Sequence, residues 1–313
     1  SNIECYPLPF KGSFDLKTAL GIKQLAKRKK ADIVHLHTPN AHANGVWASL
    51  LGMRTPMILS RRVDFHLKRN RFTKFKYNYP GIKKIICVSN AIKDIVGLAV
   101  KEKDKIVTVY DCLDLKKYGV DYSHNFFREQ FHVSNRFIIG TVAALVDHKD
   151  LFTFIDTAEV LIREKLDAKF FIVGQGDLKD QLTEYIKSKD LEQHVMLTGF
   201  LNNIPYVLKS FDLLLFTSKT EGLGSTILDA FASRIPVVAT RAGGIPEIVT
   251  HGDTGLLAEV KDPVALAHHV KTLVTDDVLR GKLIAHAFER VKGFSKEKLS
   301  LDTLKIYQTV VRH

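Results

Sequence analysis

Short apolar runs alternate with amphipathic stretches along most of the chain. "ADIVHLH" (31–37), "KIICVS" (84–89) and "KIVTVY" (105–110) read as strands, and "HANGVWASLLG" (42–52) reads as a helix ended by Gly52. Ser89 or Asn90 is the cap of a helix in "AIKDIVGLAV". The second half repeats the logic more cleanly. "FIIGTVAAL" (137–145) and "AKFFIVG" (168–174) are strands, while "LFTFIDTAEVLIREKL" (151–166) and "LKDQLTEYIKSKD" (178–190) have helical spacing. "HVMLTG", "DLLLFTS", "PVVAT" and "TGLLAEV" are further short apolar runs, most of them separated by helical segments. The last segment, "SKEKLSLDTLKIYQTVV" (295–311), is one amphipathic helix with Ser295 as its N-cap. The alternation of apolar strands with helices predicts parallel sheets wrapped by helices. The expected fold class is α/β: two Rossmann-like domains facing across a cleft.

One stretch raises a chemical question. In "TEGLGSTILDAFA" (220–232), Gly222 and Gly224 bracket a leucine just before a helix, and "DLLLFTS" feeds the turn. Ligands of open parallel sheets bind at the carboxyl ends of strands. The first amides of the helix lack internal partners, and the glycines let an anion approach the backbone, so a phosphate fits there. Glu221 would repel that phosphate and must meet a neutral hydroxyl nearby. Asp229, about two helical turns on, can meet a second set of hydroxyls. A phosphate flanked by two hydroxyl-rich groups describes a nucleotide sugar. Taken alone, the turn also fits a plain helix start with a surface acid.

The length of 313 residues exceeds what one core usually holds. Charge redraws the picture further. Residues 1–135 hold 24 Lys and Arg against 11 Asp and Glu, a net of +13, whereas residues 136–313 hold 22 against 23, a net of −1. This split places the domains at 1–134 and 135–296, with the C-terminal helix 297–313 packing back on the first. The basic half should seek an anionic partner. No apolar run is long enough to cross a membrane, and "SNIECYPLPF" is no secretory signal. Cys5, Cys87 and Cys112 are odd in number and far apart, which implies a reducing, cytoplasmic setting.

Residues 218–267, "SKTEGLGSTILDAFASRIPVVATRAGGIPEIVTHGDTGLLAEVKDPVALA", closely resemble the donor-site region of the retaining glycosyltransferases of family four. "IGTVAALVDHKD" (139–150) resembles that family's strand and phosphate loop, and "DIVHLHTP" (32–39) and "VSNAIKDIV" (88–96) its amino-terminal domain. The resemblance implies the GT-B fold and transfer of a hexose, with retained configuration, to a cell-surface glycan or lipid-linked acceptor. It implies that Glu221 contacts the transferred sugar and that Asp229 binds the ribose hydroxyls. The amides of Gly222, Leu223, Gly224 and Ser225 would hold the diphosphate, and Lys149 would neutralise the leaving phosphate. Gly174 joins the donor-binding set. No cofactor and no metal are implied, the donor being a UDP-, GDP- or ADP-sugar.

The chain departs from the family pattern in four places. The second acid is Asp229 rather than Glu, and Ala143-Ala144 stands where the family has Gly-Arg. The lost guanidinium fork calls for a substitute from Arg61, Arg62 or Arg241. Asp111-Cys112 replaces an Asn-Gly, and Arg62 in "ILSRRVDF" (58–65) stands where many members have an acceptor-facing histidine. The family's first strand, glycine-rich loop and helix have no counterpart before "IECYPLPFKGSFDL", so the amino-terminal domain is expected to be incomplete, and its bare sheet edge invites self-association.

His35 and His37 share one face of their strand; they are a metal pair, a packed histidine pair, or, at His37, an acceptor contact. "KRNRFTKFK" (68–76) mixes five basic residues with two phenylalanines, which suits either a solvated loop or an interface with the inner face of an anionic membrane. "LAKRKK" (25–30) is the solvated end of a helix. Glu247 either meets the donor or caps a short helix, and Gly243 and Gly244 are close-approach positions. Competing readings are an epimerase or phosphorylase on the same fold and a degenerate transferase serving as a scaffold. No nucleic-acid recognition motif is visible.

Overall fold

The computed structural model describes residues 3–8, 10–63, 67, 70–119, 126–133 and 136–311. Lys68 and Arg69 of the basic run, Asp64 and Phe65 beside Arg62, the expected boundary pair Ser134 and Asn135, and the final two residues lie outside the described residues. The chain divides into two compact units, Ser1–Tyr110 with Leu299–His313, and Asp111–Lys298.

Unit 1 runs α1 (Leu16–Arg28), β1 (Val34–Leu36), α2 (Pro39–Leu50), β2 (Met57–Arg61), α3 (Arg71–Tyr77), β3 (Ile82–Cys87), α4 (Asn90–Gly97) and β4 (Ile106–Thr108). The strands pair in parallel in the order β1-β2-β3-β4. Met57, Ile58 and Leu59 of β2 are all buried, as a strand covered on both faces requires. Ser89 caps α4, its hydroxyl accepting from Ile92 N at 3.1 Å. Helix α2 starts earlier than its apolar pattern predicts. Thr38 accepts from Ala41 N at 3.1 Å, and Pro39 takes the first turn, where a missing amide costs nothing. The basic run read as a loop or interface is helical from Arg71. Asn70 accepts from Thr73 N at 2.7 Å, and Thr73 and Tyr77, one turn apart, are buried.

Unit 2 runs α5 (Phe126–Gln130), β5 (Phe137–Val142), α6 (Leu151–Arg163), β6 (Ala168–Val173), α7 (Lys179–Ser188), β7 (Val195–Gly199), α8 (Ile204–Lys209), β8 (Leu213–Phe216), α9 (Ser225–Ala232), β9 (Val237–Thr240), β10 (Leu256–Ala258), α10 (Pro263–Thr275) and α11 (Asp277–Val291). Its parallel sheet has the order β10-β9-β8-β5-β6-β7. Helix α6 buries Leu151, Phe154, Ile155, Ala158 and Leu161, the stripe of an amphipathic helix, against a core that includes Phe170 and Ile172. The chain adds strands outward from β5 through β6 to β7, then crosses back to β8 on the other side of β5. That reversal opens a crevice outside the carboxyl ends of β5 and β8.

The last helix, α12 (Lys296–Val311), returns to unit 1, laying Ile306, Tyr307 and Val310 on Ile58, Ile86 and Val109. Ser295 caps it, accepting from Lys298 N at 3.2 Å. The unit boundary falls at Tyr110/Asp111 rather than near residue 135. Phe127 is wholly buried with its ring 4.6 Å from Phe171 and 5.4 Å from Phe211, and Arg128 donates to Asp212 at 2.9 Å. These contacts tie residues 126–133 to unit 2 whatever their net charge. The redrawn boundary sharpens the asymmetry: unit 1 carries 23 Lys and Arg against 8 Asp and Glu, unit 2 carries 23 against 26.

Candidate functional site

Two loops meet at the crevice of unit 2. The first follows β5 and ends in a 3-10 turn, Asp147–Lys149. The second follows β8 and leads into α9 through the glycine turn. They are stitched together. Lys219 N donates to His148 O at 2.9 Å, and the Thr217 hydroxyl donates to Asp150 O at 3.0 Å. Lys219 also pairs with Asp147 at 2.9 Å.

This stitching brings Lys149 and Glu221 together, 72 positions apart in sequence. Lys149 Nζ pairs with Glu221 Oε1, and the Ser218 hydroxyl donates to the same oxygen at 2.8 Å. Glu221 is only 8% exposed, and its Oε2 has no partner among the described residues. A buried carboxylate normally needs all its acceptor capacity met, so Oε2 is poised for a hydroxyl donor. The Glu221 backbone is pinned as well. Gly244 N donates to Glu221 O at 3.0 Å. Gly243, at φ +51°, passes so close that a Cβ there would stand 2.1 Å from that oxygen. The two close-approach glycines therefore serve the placement of Glu221.

Gly224 is the N-cap of α9, at φ +92° and with no side-chain cap. None of the amides of Gly222, Leu223, Gly224, Ser225 and Thr226 donates to a protein acceptor among the described residues. Five consecutive unpaired amides at a helix mouth form an anion cradle. Asp229, in the second turn of α9, accepts from the Tyr118 hydroxyl at 2.5 Å. Burial holds its carboxyl above the usual range, reinforced by the charge of Asp111 and opposed by the Tyr118 bond and Lys117.

Gly174, at φ +149°, lies where a Cβ would stand 1.8 Å from Ala143 O. It lets the β6 loop close on the β5 loop, and Ala143 N donates to Val173 O at 3.0 Å. Beside it is a cavity of about 330 Å³ lined by Ala143, Ala144, Gly174, Phe200, Leu201 and Ile204. Phe200 is 61% exposed, an apolar ring open to a planar guest.

The remaining expected residues have their own local settings. His37 is exposed at the end of β1, its ring 4.0 Å from that of His35 and its pKa lowered by burial and then by the Arg62 charge. His35 has both ring nitrogens engaged, at 2.6 Å by Tyr307 Oη and 2.8 Å by Ser60 Oγ, so it is a packed histidine and not a ligand. Burial, with His37 beside it, pulls its pKa down to about 4. Arg62 is exposed in unit 1. Arg241 pairs through Nε with Glu259 at 3.1 Å. Glu247 ends the 3-10 turn Ile245–Glu247 rather than capping it. Sequence reasoning missed Ser218 and Tyr118. Ser218 had a local signal, three residues before Glu221 at a strand end; Tyr118 had none, since its partner lies 111 positions away.

A model of the family described as glycosyl transferases group 1 matches residues 123–290, and one described as glycosyltransferase family 4 matches residues 2–117. Among curated relatives, the N-acetyl-alpha-D-glucosaminyl L-malate synthase of Bacillus anthracis is 26% identical over 314 residues, covering 96% of this chain and 80% of the relative. The UDP-Gal:alpha-D-GlcNAc-diphosphoundecaprenol alpha-1,3-galactosyltransferase of Escherichia coli is 26% identical, over 91% and 78%. Among solved structures, Anabaena HepE in complex with UDP superposes with a TM-score of 0.84 at 23% identity, covering 93% of this chain and 82% of that one. The α/β fold with two parallel sheets is thus the GT-B fold of these proteins.

Proposed function

This chain belongs to the group 1 glycosyl transferases, and we propose that within that family it moves a hexose from UDP-hexose to a lipid-linked or polysaccharide acceptor with retention at the anomeric carbon. The observation that carries this reading is the pairing of Lys149 with a buried Glu221 directly beside five unpaired amides. The cradle from Gly222 to Thr226 receives the diphosphate. Glu221 Oε2 accepts from a hexose hydroxyl, and Lys149 turns toward the diphosphate as negative charge grows there. The bond from the anomeric carbon to the phosphate oxygen breaks, and the acceptor oxygen bonds to that carbon on the same face. The acceptor's proton passes to the departing phosphate oxygen. Asp229 takes the ribose hydroxyls, and the base enters the cavity beside Gly174 and Phe200. Curated relatives named for diphosphoundecaprenol acceptors, and solved neighbours holding UDP, support this choice of donor and acceptor.

No helix among the described residues is long and apolar enough to cross a membrane. The positive unit 1 instead supports peripheral association with an anionic cytoplasmic leaflet, with His37 and Arg62 on the acceptor side. The test is transfer from UDP-sugars to a diphosphate-lipid acceptor, with the product anomer read by NMR. Glu221→Ala is expected to abolish transfer while the melting curve keeps its shape. Turnover in that variant, or an inverted product, overturns the reading.

A further inference from the structure

We propose that unit 1 carries a second anion site, at the amino edge of its sheet, which takes a phosphate ester. It is built from residues of unit 1 alone, and the donor-site reading can fail without touching it.

The site begins as a break in a pattern. Helix α12 covers the sheet face that carries Ile58, Ile86 and Val107 of β2, β3 and β4. Side chains on one face of a strand recur every second residue, and a face covered by a helix is expected to stay apolar. Two residues before those three contacts stand Pro56, Lys84 and Lys105. β3 and β4 pair at Ile86 and Val107, which sets Lys84 and Lys105 side by side, and both are half-buried. Like charges on neighbouring strands repel, so this placement needs an offsetting partner.

A cavity of about 670 Å³ opens there, the size of a small-ligand pocket. Pro56 and Val310 give it apolar walls, and Arg54, Lys83, Lys84 and Lys105 give it four cations. Two of these are held in place: Lys84 Nζ donates to Asp104 O at 2.8 Å, and Lys105 pairs with Glu102 at 2.7 Å. Arg54 and Lys83 form no ion pair among the described residues and are exposed. Charge decides what fits. Against the four cations stand Asp104, Glu102 and roughly half a negative charge from the carboxyl end of α12. A surplus of roughly 1.5 positive charges remains, which matches a phosphate ester of about −1 to −2. The Arg54 fork suits its oxygens, and the apolar walls suit its carbon part. A soluble phosphate ester and the headgroup of an anionic lipid share this chemistry.

The experiment separates the two sources. Glycerol 3-phosphate is titrated by calorimetry, and phosphatidylglycerol vesicles are co-sedimented, with wild type, Arg54→Ala/Lys83→Ala and the charge-matched control Lys17→Ala/Lys27→Ala on α1. All four replaced side chains are exposed, so both variants are expected to melt as wild type does. If the site takes a soluble ester, glycerol 3-phosphate binds wild type and control alike and the Arg54/Lys83 variant at least tenfold more weakly, since two charge-assisted contacts are lost. If it takes a lipid headgroup, the free ester does not bind, and only the Arg54/Lys83 variant loses the vesicles, again by at least tenfold. Equal behaviour of the two variants in both assays, whether both lose binding or neither does, would reduce the site to general attraction between charges and overturn the inference. Failure of wild type to bind either probe would overturn it as well.

Discussion

Replacing Gly243 with alanine is expected to unseat Glu221 without altering its side chain. The new Cβ would stand 2.1 Å from Glu221 O and 2.9 Å from Glu221 N. Carbon–oxygen contacts do not persist at that range, so backbone must yield by about 1 Å. The glycine also sits at φ +51°, where a residue with a Cβ costs about 1–2 kcal/mol. Gly252 supplies the control: it has φ +78°, and nothing lies within 4 Å of its would-be Cβ. Both alanine variants carry the conformational cost, but only Gly243→Ala displaces the site. A shift of about 1 Å at a reacting group costs about a hundredfold in rate, or about 2.7 kcal/mol. Urea melts of the two variants should therefore be lowered together, by about 1 kcal/mol or somewhat more at Gly243. Steady-state transfer should separate them, with kcat/KM down about a hundredfold for Gly243→Ala and near wild type for Gly252→Ala. Transfer by Gly243→Ala within a few fold of the control would refute the pinning of Glu221 by the glycine pair.

Three further predictions follow from other residues. Ser218→Ala removes one of the two donors to Glu221 Oε1, so kcat/KM should fall about tenfold with UDP affinity unchanged; an unaltered kcat/KM would count against the role of that hydroxyl. His42 has its pKa pulled down to about 3, first by burial and then by the Lys76 charge. The unfolded chain takes that proton near pH 6.5 and the folded chain does not, so stability is full above that pH and declines as pH falls toward 3, by about 1.4 kcal/mol per unit. His42→Gln should take about one proton out of that slope, and an unchanged acid arm of the denaturation profile would contradict the assignment. Unit 1 should sediment the protein with phosphatidylglycerol vesicles but not with phosphatidylcholine vesicles, and Arg71→Glu with Lys74→Glu on α3, beside the 47% exposed Phe75, should weaken that binding. Equal sedimentation with both lipids would refute an electrostatic docking.

Much of the fold was legible because buried parallel strands are apolar throughout and their helices keep a 3.6-residue period. β5, α6, β6 and α12 lie where their patterns place them. The misses have local causes. The start of α2 hides behind Thr38-Pro39, whose capping signal carries no apolar face. α3 is short and basic, so only its Asn70 cap and the buried Thr73–Tyr77 pair mark it as a helix. The unit boundary escaped because charge is a surface property, whereas the buried ring of Phe127 decides which core owns residues 126–133. At the site, the glycine turn and its acids were visible as sequence neighbours. Neither the Lys149–Glu221 pair nor the Tyr118–Asp229 bond had a signal in the sequence, because contacts across 72 and 111 positions are set by the crossover between β5 and β8 and by the pinned turn before α5.

The most direct test of the donor site is calorimetry of UDP against wild type and Lys149→Ala, with GDP and ADP as comparisons. Wild type is expected to bind UDP in preference to the purine nucleotides, and Lys149→Ala to bind it at least tenfold more weakly, since a cation beside a diphosphate contributes roughly 1.5–3 kcal/mol. Equal affinity of the two proteins for UDP, or no binding by either, would contradict the placement of the donor diphosphate between Lys149 and the glycine turn.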